Sequence, residues 1–223
     1  NRNPIGTGPF RFNRIQVVDL DKDRLITYFD RNPTYFRGAP KLERLQLHVF
    51  KNSALITDAF ILKEINGAMD LTSAQLGEVA AHRTDLTINH QPTDSGVYAF
   101  LKNDSQLLSD VALRQAIVQG TNRQAIVGAI QDFGSRLDGP LTPDQLPSID
   151  ESKQAKFNLE AANAALDAAG WARPANSKTR TKNGLPLQLK LVTINSGDYP
   201  VVAAELKKQW AQLGIDVQVR AVD

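Results

Sequence analysis

No cysteine occurs among the 223 residues. That absence excludes disulfide staples, thiolate nucleophiles, zinc ribbons and iron–sulfur ligation together. It leaves the compartment open, because exported and cytoplasmic chains alike do without cysteine. No apolar run approaches the roughly 18 residues that span a bilayer. No basic start followed by an apolar stretch marks a signal peptide. Nor is there an excess of one charge: Lys and Arg number 26 against 24 Asp and Glu, a formal +2. Nucleic-acid binders carry a concentrated basic face, so this balance argues against one. The remaining composition, 42% hydrophobic and 22% charged, excludes wholesale disorder. A compact chain of this length buries about 70% of its unfolded surface, enough for one large or two small cores. The sequence opens without Met and stops directly after a core-strand pattern, so the expectation is a piece of a longer protein.

What is present falls into two styles. The first hundred residues alternate as strands do. Residues 9–18 place Phe10, Phe12, Ile15 and Val17 at roughly period two, the cluster Asp19-Leu20-Asp21-Lys22-Asp23 turns, and 25–29 is again β-rich; this predicts a hairpin. Residues 42–50 alternate through Leu45, Leu47 and Val49 and read as a half-buried strand. Asn52 or Ser53 caps a helix, with Leu55, Ala59, Leu62 and Ile65 at helical spacing and Gly67 as its stop. Residues 68–71 read as a short strand, 73–81 as a short helix, and 86–88 and 97–101 as two further strands.

The second half is helical around one βαβ unit. Asp110 starts a helix that Gly120 interrupts, and Thr121 or Asn122 caps the next. Gly134, Gly139, Pro140, Pro143 and Pro147 make 132–150 a loop. Leu159, Ala162, Ala165, Leu166 and Ala169 form one apolar helix face that Gly170 closes. Residues 172–184 read as a polar, basic loop. Strand 185–194, helix 200–213 and strand 215–222 follow with short joints, which predicts parallel pairing and a right-handed crossover. The expected class is α/β, with two regions meeting near 101–110.

Candidate chemistry is sparse. Asp19, Asp21, Asp23 and Asp30 have calcium-loop spacing, but Arg24 stands where the sharp turn needs Gly and the flanks are strands. A solvated hairpin turn is the preferred reading. Gly6-Thr7-Gly8-Pro9 lacks the Gly-Lys-Ser/Thr of a phosphate loop and precedes a strand. His48, His82 and His90 show no His-x-x-x-His spacing and read as surface or edge histidines. No Gly-x-Ser-x-Gly elbow occurs, and the carboxylates of the 19–23 turn have no burial to separate their pKa values. Arg173, Lys178, Arg180 and Lys182 make the 170–184 loop basic, without an aromatic residue among them to stack a base. That loop reads as solvated. No catalytic residue, metal ligand or cofactor is assigned, and no enzyme activity is expected.

Several segments resemble a known family. Gly6-Thr7-Gly8-Pro9-Phe10 is similar to the Gly-Thr-Gly-Pro-aromatic turn of the family 5 extracellular solute-binding proteins, the dipeptide- and oligopeptide-binding components of ABC importers. Asn32-Pro33-Thr34-Tyr35-Phe36-Arg37-Gly38-Ala39-Pro40-Lys41-Leu42 resembles their Asn-x-x-Tyr-aromatic-x-Gly-x-Pro-x-Leu stretch. Asp110-Val111-Ala112-Leu113-Arg114-Gln115-Ala116 resembles their Asp-x-x-x-Arg-x-Ala helix start, with Asn122-Arg123 where Asp-Arg is usual. Ala169-Gly170-Trp171 resembles the Ala-Gly-Trp/Tyr helix end, and Leu213-Gly214-Ile215 the Leu-Gly-Ile joint. Each is weak alone; their order covers nearly the whole chain.

The resemblance implies a fragment of a two-lobed periplasmic-binding-protein type II fold, mixed sheets with flanking helices. Residues 1–104 would belong to the first lobe and 105–223 to the first half of the second. The implied role is uptake of a solute, a small peptide first, by a monomeric receptor. That receptor would lie outside the cytoplasm on a lipid anchor and serve the membrane subunits of an ABC permease, with no nucleic-acid partner. The family also holds nickel, haem and sugar binders. An α/β enzyme domain with its catalytic residues elsewhere is the alternative. Ligands of open α/β sheets sit beyond the carboxyl ends of parallel strands, near helix N-termini. Asn195, Ser196 and Gly197 occupy that place. Tyr98 and Phe100, two apart on a strand that by resemblance approaches the cleft, form the second candidate. For Phe100 a plain core role stands equal.

Overall fold

The computed structural model describes residues 4–19, 24–69, 71–89, 96–130, 134–137, 139, 141–142, 145 and 155–222. They belong to two compact units, Asn1–Leu86 and Thr87–Asp223.

In the first unit, β1 (Phe10–Asp19), β2 (Arg24–Arg31) and β3 (Arg44–Val49) form an antiparallel sheet in that order. Its register sets Ile15, Thr27 and Leu47 side by side, then Val17, Leu25 and Val49. Opposed residues share a face, so these side chains, apolar apart from Thr27, line one face. Arg14, Tyr28 and Gln46, with Gln16, Ile26 and His48, line the other. A register shift after Phe12 keeps Phe12 opposite Phe29 on the apolar face, where the rings meet edge-on at 6.3 Å. The alternation expected for 42–50 is there, but its burial is inverted. Leu45, Leu47 and Val49 are exposed, and the buried residue is Ile26 on the opposite face. Periodicity fixes which side chains share a face; whether that face finds cover depends on other elements.

Helix α1 (Ser53–Ile61) starts where Asn52 accepts from the Leu55 N–H, and α2 (Ser73–His82) starts with a reciprocal Thr72–Gln75 capping box. α1 stops short of Ile65 because Lys63 takes a left-handed φ of 61°. Arg83 ties the two helices, donating to the Phe60 carbonyl at 3.0 Å while pairing with Asp85. The strands expected at 68–71, 86–88 and 97–101 do not form among the described residues. Their apolar content suits a ladder, but a strand needs a partner to bond with.

The second unit holds α3 (Val111–Gln119), α4 (Arg123–Ala129), α5 (Leu159–Ala168), the small hairpin β4 (Thr181–Lys182) and β5 (Leu185–Pro186), then β6 (Gln188–Ile194), α6 (Tyr199–Gln212) and β7 (Asp216–Val222). Asp110, Asn122 and Asn158 cap α3, α4 and α5 through their side-chain oxygens. β6 and β7 pair in parallel from Gln188 opposite Asp216 to Ile194 opposite Val222, as the βαβ pattern predicts. The expected single strand 185–194 is broken at Leu187. Its N–H bonds the Arg180 carbonyl, and its carbonyl accepts from Asp216, each at 2.8–3.0 Å. Leu113, Ile117, Leu166, Trp171, Leu187, Trp210, Leu213 and Ile215 build a shared core. Gly120 lets the end of α3 close on it, since a Cβ there would lie 2.7 Å from Leu213 Cδ1. Most of the expected 132–150 loop lies outside the described residues.

Candidate functional site

The βαβ unit sets one candidate. Both parallel strands point their carboxyl ends the same way, and Asn195-Ser196-Gly197 leaves β6 at that end. The Asn195 N–H donates to Val222 O at 2.7 Å, so the last residue of β7 pins the loop. Gly197 holds φ at +54°, a left-handed turn into α6. All three residues are exposed. Asp198 is the N-cap of α6, yet its side chain makes no capping bond, and Pro200 stands in the first turn. The loop therefore lies beside a half-buried carboxylate that makes no capping bond.

The second candidate is not the strand that was expected. Residues 96–102 form no ladder among the described residues, yet Tyr98 and Phe100 stay neighbours, rings tilted at 41° and 6.3 Å apart. Tyr98 folds back over Gly96: a Cβ there would sit 2.7 Å from the phenol oxygen and 2.4 Å from Leu137 Cδ1. Tyr98 remains 39% exposed and Phe100 91%. In this chain Phe100 is thus no core residue.

The basic loop is solvated over 172–178, as its composition suggests, but not at Arg180. Arg180 is 3% exposed, where a solvated side chain was expected. Its Nε donates to Leu213 O at 2.9 Å, and the other nitrogens reach Trp171 O, Asp167 and Asn163. One guanidinium fork thus satisfies carbonyls just beyond the ends of both α5 and α6. Arg173 donates to Gln212 O at 3.0 Å, and Lys182 pairs with Asp110 at 2.8 Å. The Lys182 ammonium beside Asp110, helped by Trp171 and the Leu113 N–H, holds that carboxyl below its usual range. Arg180 does the same for Asp167. Hence Arg173, Arg180 and Lys182 brace the fold, and their sequence positions gave no sign of partners up to 72 residues away.

His48 lies on the edge strand β3, as the edge reading expects; it is half-buried beside Phe50, and its pKa is pushed down by burial and then by Arg24. His82 bonds Glu78 O through Nδ1 at 2.9 Å, and His90 lies outside the described residues. Of the calcium-like series, Asp30 is engaged with Asn13 and Arg44, and residues 20–23 lie outside the described residues. Sequence reasoning missed an open groove of about 390 Å³ in the second unit. Leu101, Val118 and Ala155 line it with Asn103, Arg114 and Gln115. Arg114 turns part of its fork inward, donating to Leu108 O and Ser109 O. Three of its lining residues, Arg114, Gln115 and Val118, stand on α3, and neither Tyr98 nor Phe100 lines it.

Comparison with known proteins covers the whole chain. The family model "Bacterial extracellular solute-binding proteins, family 5 Middle" matches residues 1–223. The nickel-binding periplasmic protein of Escherichia coli is 25% identical over 97% of this chain and 41% of its own length. The oligopeptide-binding protein AppA of Bacillus subtilis is 25% identical over 100% of this chain and 40% of its own. Among solved structures, NikA of Brucella suis with Fe(III)-EDTA superposes with a TM-score of 0.79 at 23% identity, over 99% of this chain and 44% of that one. AppA with a bound nonapeptide gives 0.70 at 21%, over 97% and 42%. The chain thus spans about two fifths of the length of the curated relatives it matches.

Proposed function

Because the chain belongs to the bacterial family 5 extracellular solute-binding proteins, we propose that it is the middle portion of a receptor that captures a small peptide outside the cytoplasm and hands it to an ABC permease. The observation that carries this is the family match along all 223 residues. The relatives add support, since AppA is named for oligopeptides. In this reading the receptor is a lipid-anchored monomer that binds and releases its solute without chemical change. Residues 1–104 belong to its first lobe and 105–223 to the first half of its second, although the compact unit that holds 105–223 begins at Thr87. The Asn195-Ser196-Gly197 loop and the Tyr98–Phe100 pair line the ligand cleft. Tyr98 is the stronger contact, because its hydroxyl adds a polar handle to an apolar body.

The test is calorimetry on the longer protein with peptide pools and, separately, nickel. Peptide binding that Tyr98→Ala weakens about ten-fold, with the ligand-free melting temperature little changed, supports the reading. Nickel binding with no peptide response overturns the substrate class. The 223-residue chain alone is expected to show no site tighter than roughly micromolar, about −8 kcal/mol, because burial between two lobes supplies much of the affinity.

A further inference from the structure

The β1–β3 sheet turns its apolar face outward. Ile15 is 58% and Leu47 52% exposed, with Val17, Leu45 and Val49 beside them. Phe12, Leu25 and Phe29 continue the patch inward by register. No charged side chain occupies that face between Phe12 and Val17 on β1 or between Leu45 and Val49 on β3. The opposite face carries Arg14, Arg44, Gln16 and Gln46, with Ile26 at its buried centre. An uncharged face of this breadth, apolar except for Thr27 at its centre, is unusual on a finished monomer surface. It does not suit a nucleic acid or an anionic surface, which need cations.

We infer that this face is an internal seam of a larger folded lobe, covered by an apolar layer from polypeptide of the same protein outside these 223 residues. Two observations select that occupant. The relatives carry about three fifths of their length outside the matched portion. The first unit also buries few apolar side chains of its own: Ile26, Ala59 and Val79 among its described residues. A face offered to a transient partner needs a scaffold that is already stable, and this sheet lacks the core to be one. The inference rests on the family reading only for the existence of the longer polypeptide. Its test reads sheet accessibility, not ligand affinity, so the two can fail separately.

The absence of cysteine makes single-thiol labelling a clean probe. Leu47→Cys and, on the opposite face, Gln46→Cys are introduced both into the 223-residue chain and into the longer protein, with reactivity read by peptide mapping. The thiol of Leu47→Cys is expected to react rapidly in the short chain and at least about ten-fold more slowly in the longer one. The thiol of Gln46→Cys is expected to react rapidly in both. Equal reactivity of Leu47→Cys in the two proteins overturns the inference. Protection already present in the short chain, rising with concentration alongside a dimer in sedimentation, assigns the face to a second copy and also overturns it. In a companion experiment Leu47→Lys is expected to lower the melting temperature of the longer protein by roughly 5 °C or more, or to prevent its folding, while Gln46→Lys leaves it unchanged. No shift with Leu47→Lys counts against the seam.

Discussion

In Thr87–Asp223 two tryptophans, Trp171 and Trp210, lie buried among Leu166, Leu187, Leu213 and Ile215. In Asn1–Leu86 the buried apolar residues among those described are Ile26, Ala59 and Val79, contributed singly by β2, α1 and α2. Both units have well-formed ladders, and side chains cap α1 to α5, so local structure does not distinguish them. Cover does. Burying apolar side chains is the main favourable contribution to folding. The second unit joins such side chains in one connected cluster; the first keeps Leu45, Leu47 and Val49 in water. Good hydrogen-bond ladders and helix caps give a segment its shape, and a core decides whether it holds that shape alone.

The largest expected effect follows from separating the units. Residues 87–223 expressed alone are expected to melt cooperatively and to keep a near-ultraviolet circular-dichroism signal from Trp171 and Trp210. Residues 1–86 alone are expected to show no cooperative transition. A sharp melt of 1–86 would break the comparison at its root.

Next in size is Arg180. It binds Leu213 O and Trp171 O from a buried position. Arg180→Met leaves those carbonyls without a donor, at about 1–3 kcal/mol for each buried group stranded. Asp167 is exposed and regains water. Arg180→Lys is expected to rescue little, because one ammonium cannot replace a fork that reaches past two helix ends. The chain has only two tryptophans, both in the second unit, so urea unfolding followed by tryptophan fluorescence reads that unit directly. Full stability in Arg180→Lys would show that charge, not geometry, does the bracing.

Acid sharpens the contrast between the units. His48 in the first unit has a folded pKa below its usual 6.5, from burial and then Arg24. The unfolded state therefore binds the proton more readily, and His48's contribution is complete above 6.5 and declines as pH falls toward the folded pKa. Asp110 and Asp167 in the second unit are depressed below 3.8 by Lys182 and Arg180. Their contribution is complete above 3.8 and is lost as pH falls through the folded pKa. Asp30 and Asp85 give the first unit a similar low-pH loss. Hydrogen exchange by mass spectrometry between pH 7 and 5 is thus expected to loosen β2 and β3 while α5 and α6 stay protected. His48→Gln removes that component. Parallel loosening of both units would sink the assignment.

Much of this architecture was legible in the chain. Alternation placed β1, β2 and β3; Asn52, Asp110 and Asn122 announced their helices as caps; and strand–helix–strand spacing gave parallel β6 and β7. These signals work because each cause lies within a few residues of its effect. What was not legible depends on distant partners. Residues 68–71, 86–88 and 97–101 carry strand-like side chains, but a ladder exists only where a second backbone lies alongside. Arg180 read as solvated because its acceptors are 9 and 33 residues away. In the candidate site, the strand-end loop was predictable from topology, whereas the groove beside Leu101 needed the packing of α3 against the preceding segment.

The smallest expected effect tests whether the aromatic pair belongs to surface or core. Phe100 is 91% exposed, and its ring neighbour is Tyr98. Truncating an exposed side chain away from caps and cores changes stability by about 0.5 kcal/mol or less. Phe100→Ala in the 223-residue chain is therefore expected to leave the urea midpoint unmoved, and Tyr98→Ala to shift it slightly more, since Tyr98 also packs over Gly96. In the longer protein the same two variants are expected to diverge from this pattern only in ligand affinity. If Phe100→Ala costs as much there as a buried phenylalanine, about 3–5 kcal/mol, while leaving affinity intact, the residue is core in the complete lobe and the ligand surface must be sought around Asn195, Ser196 and Gly197 instead.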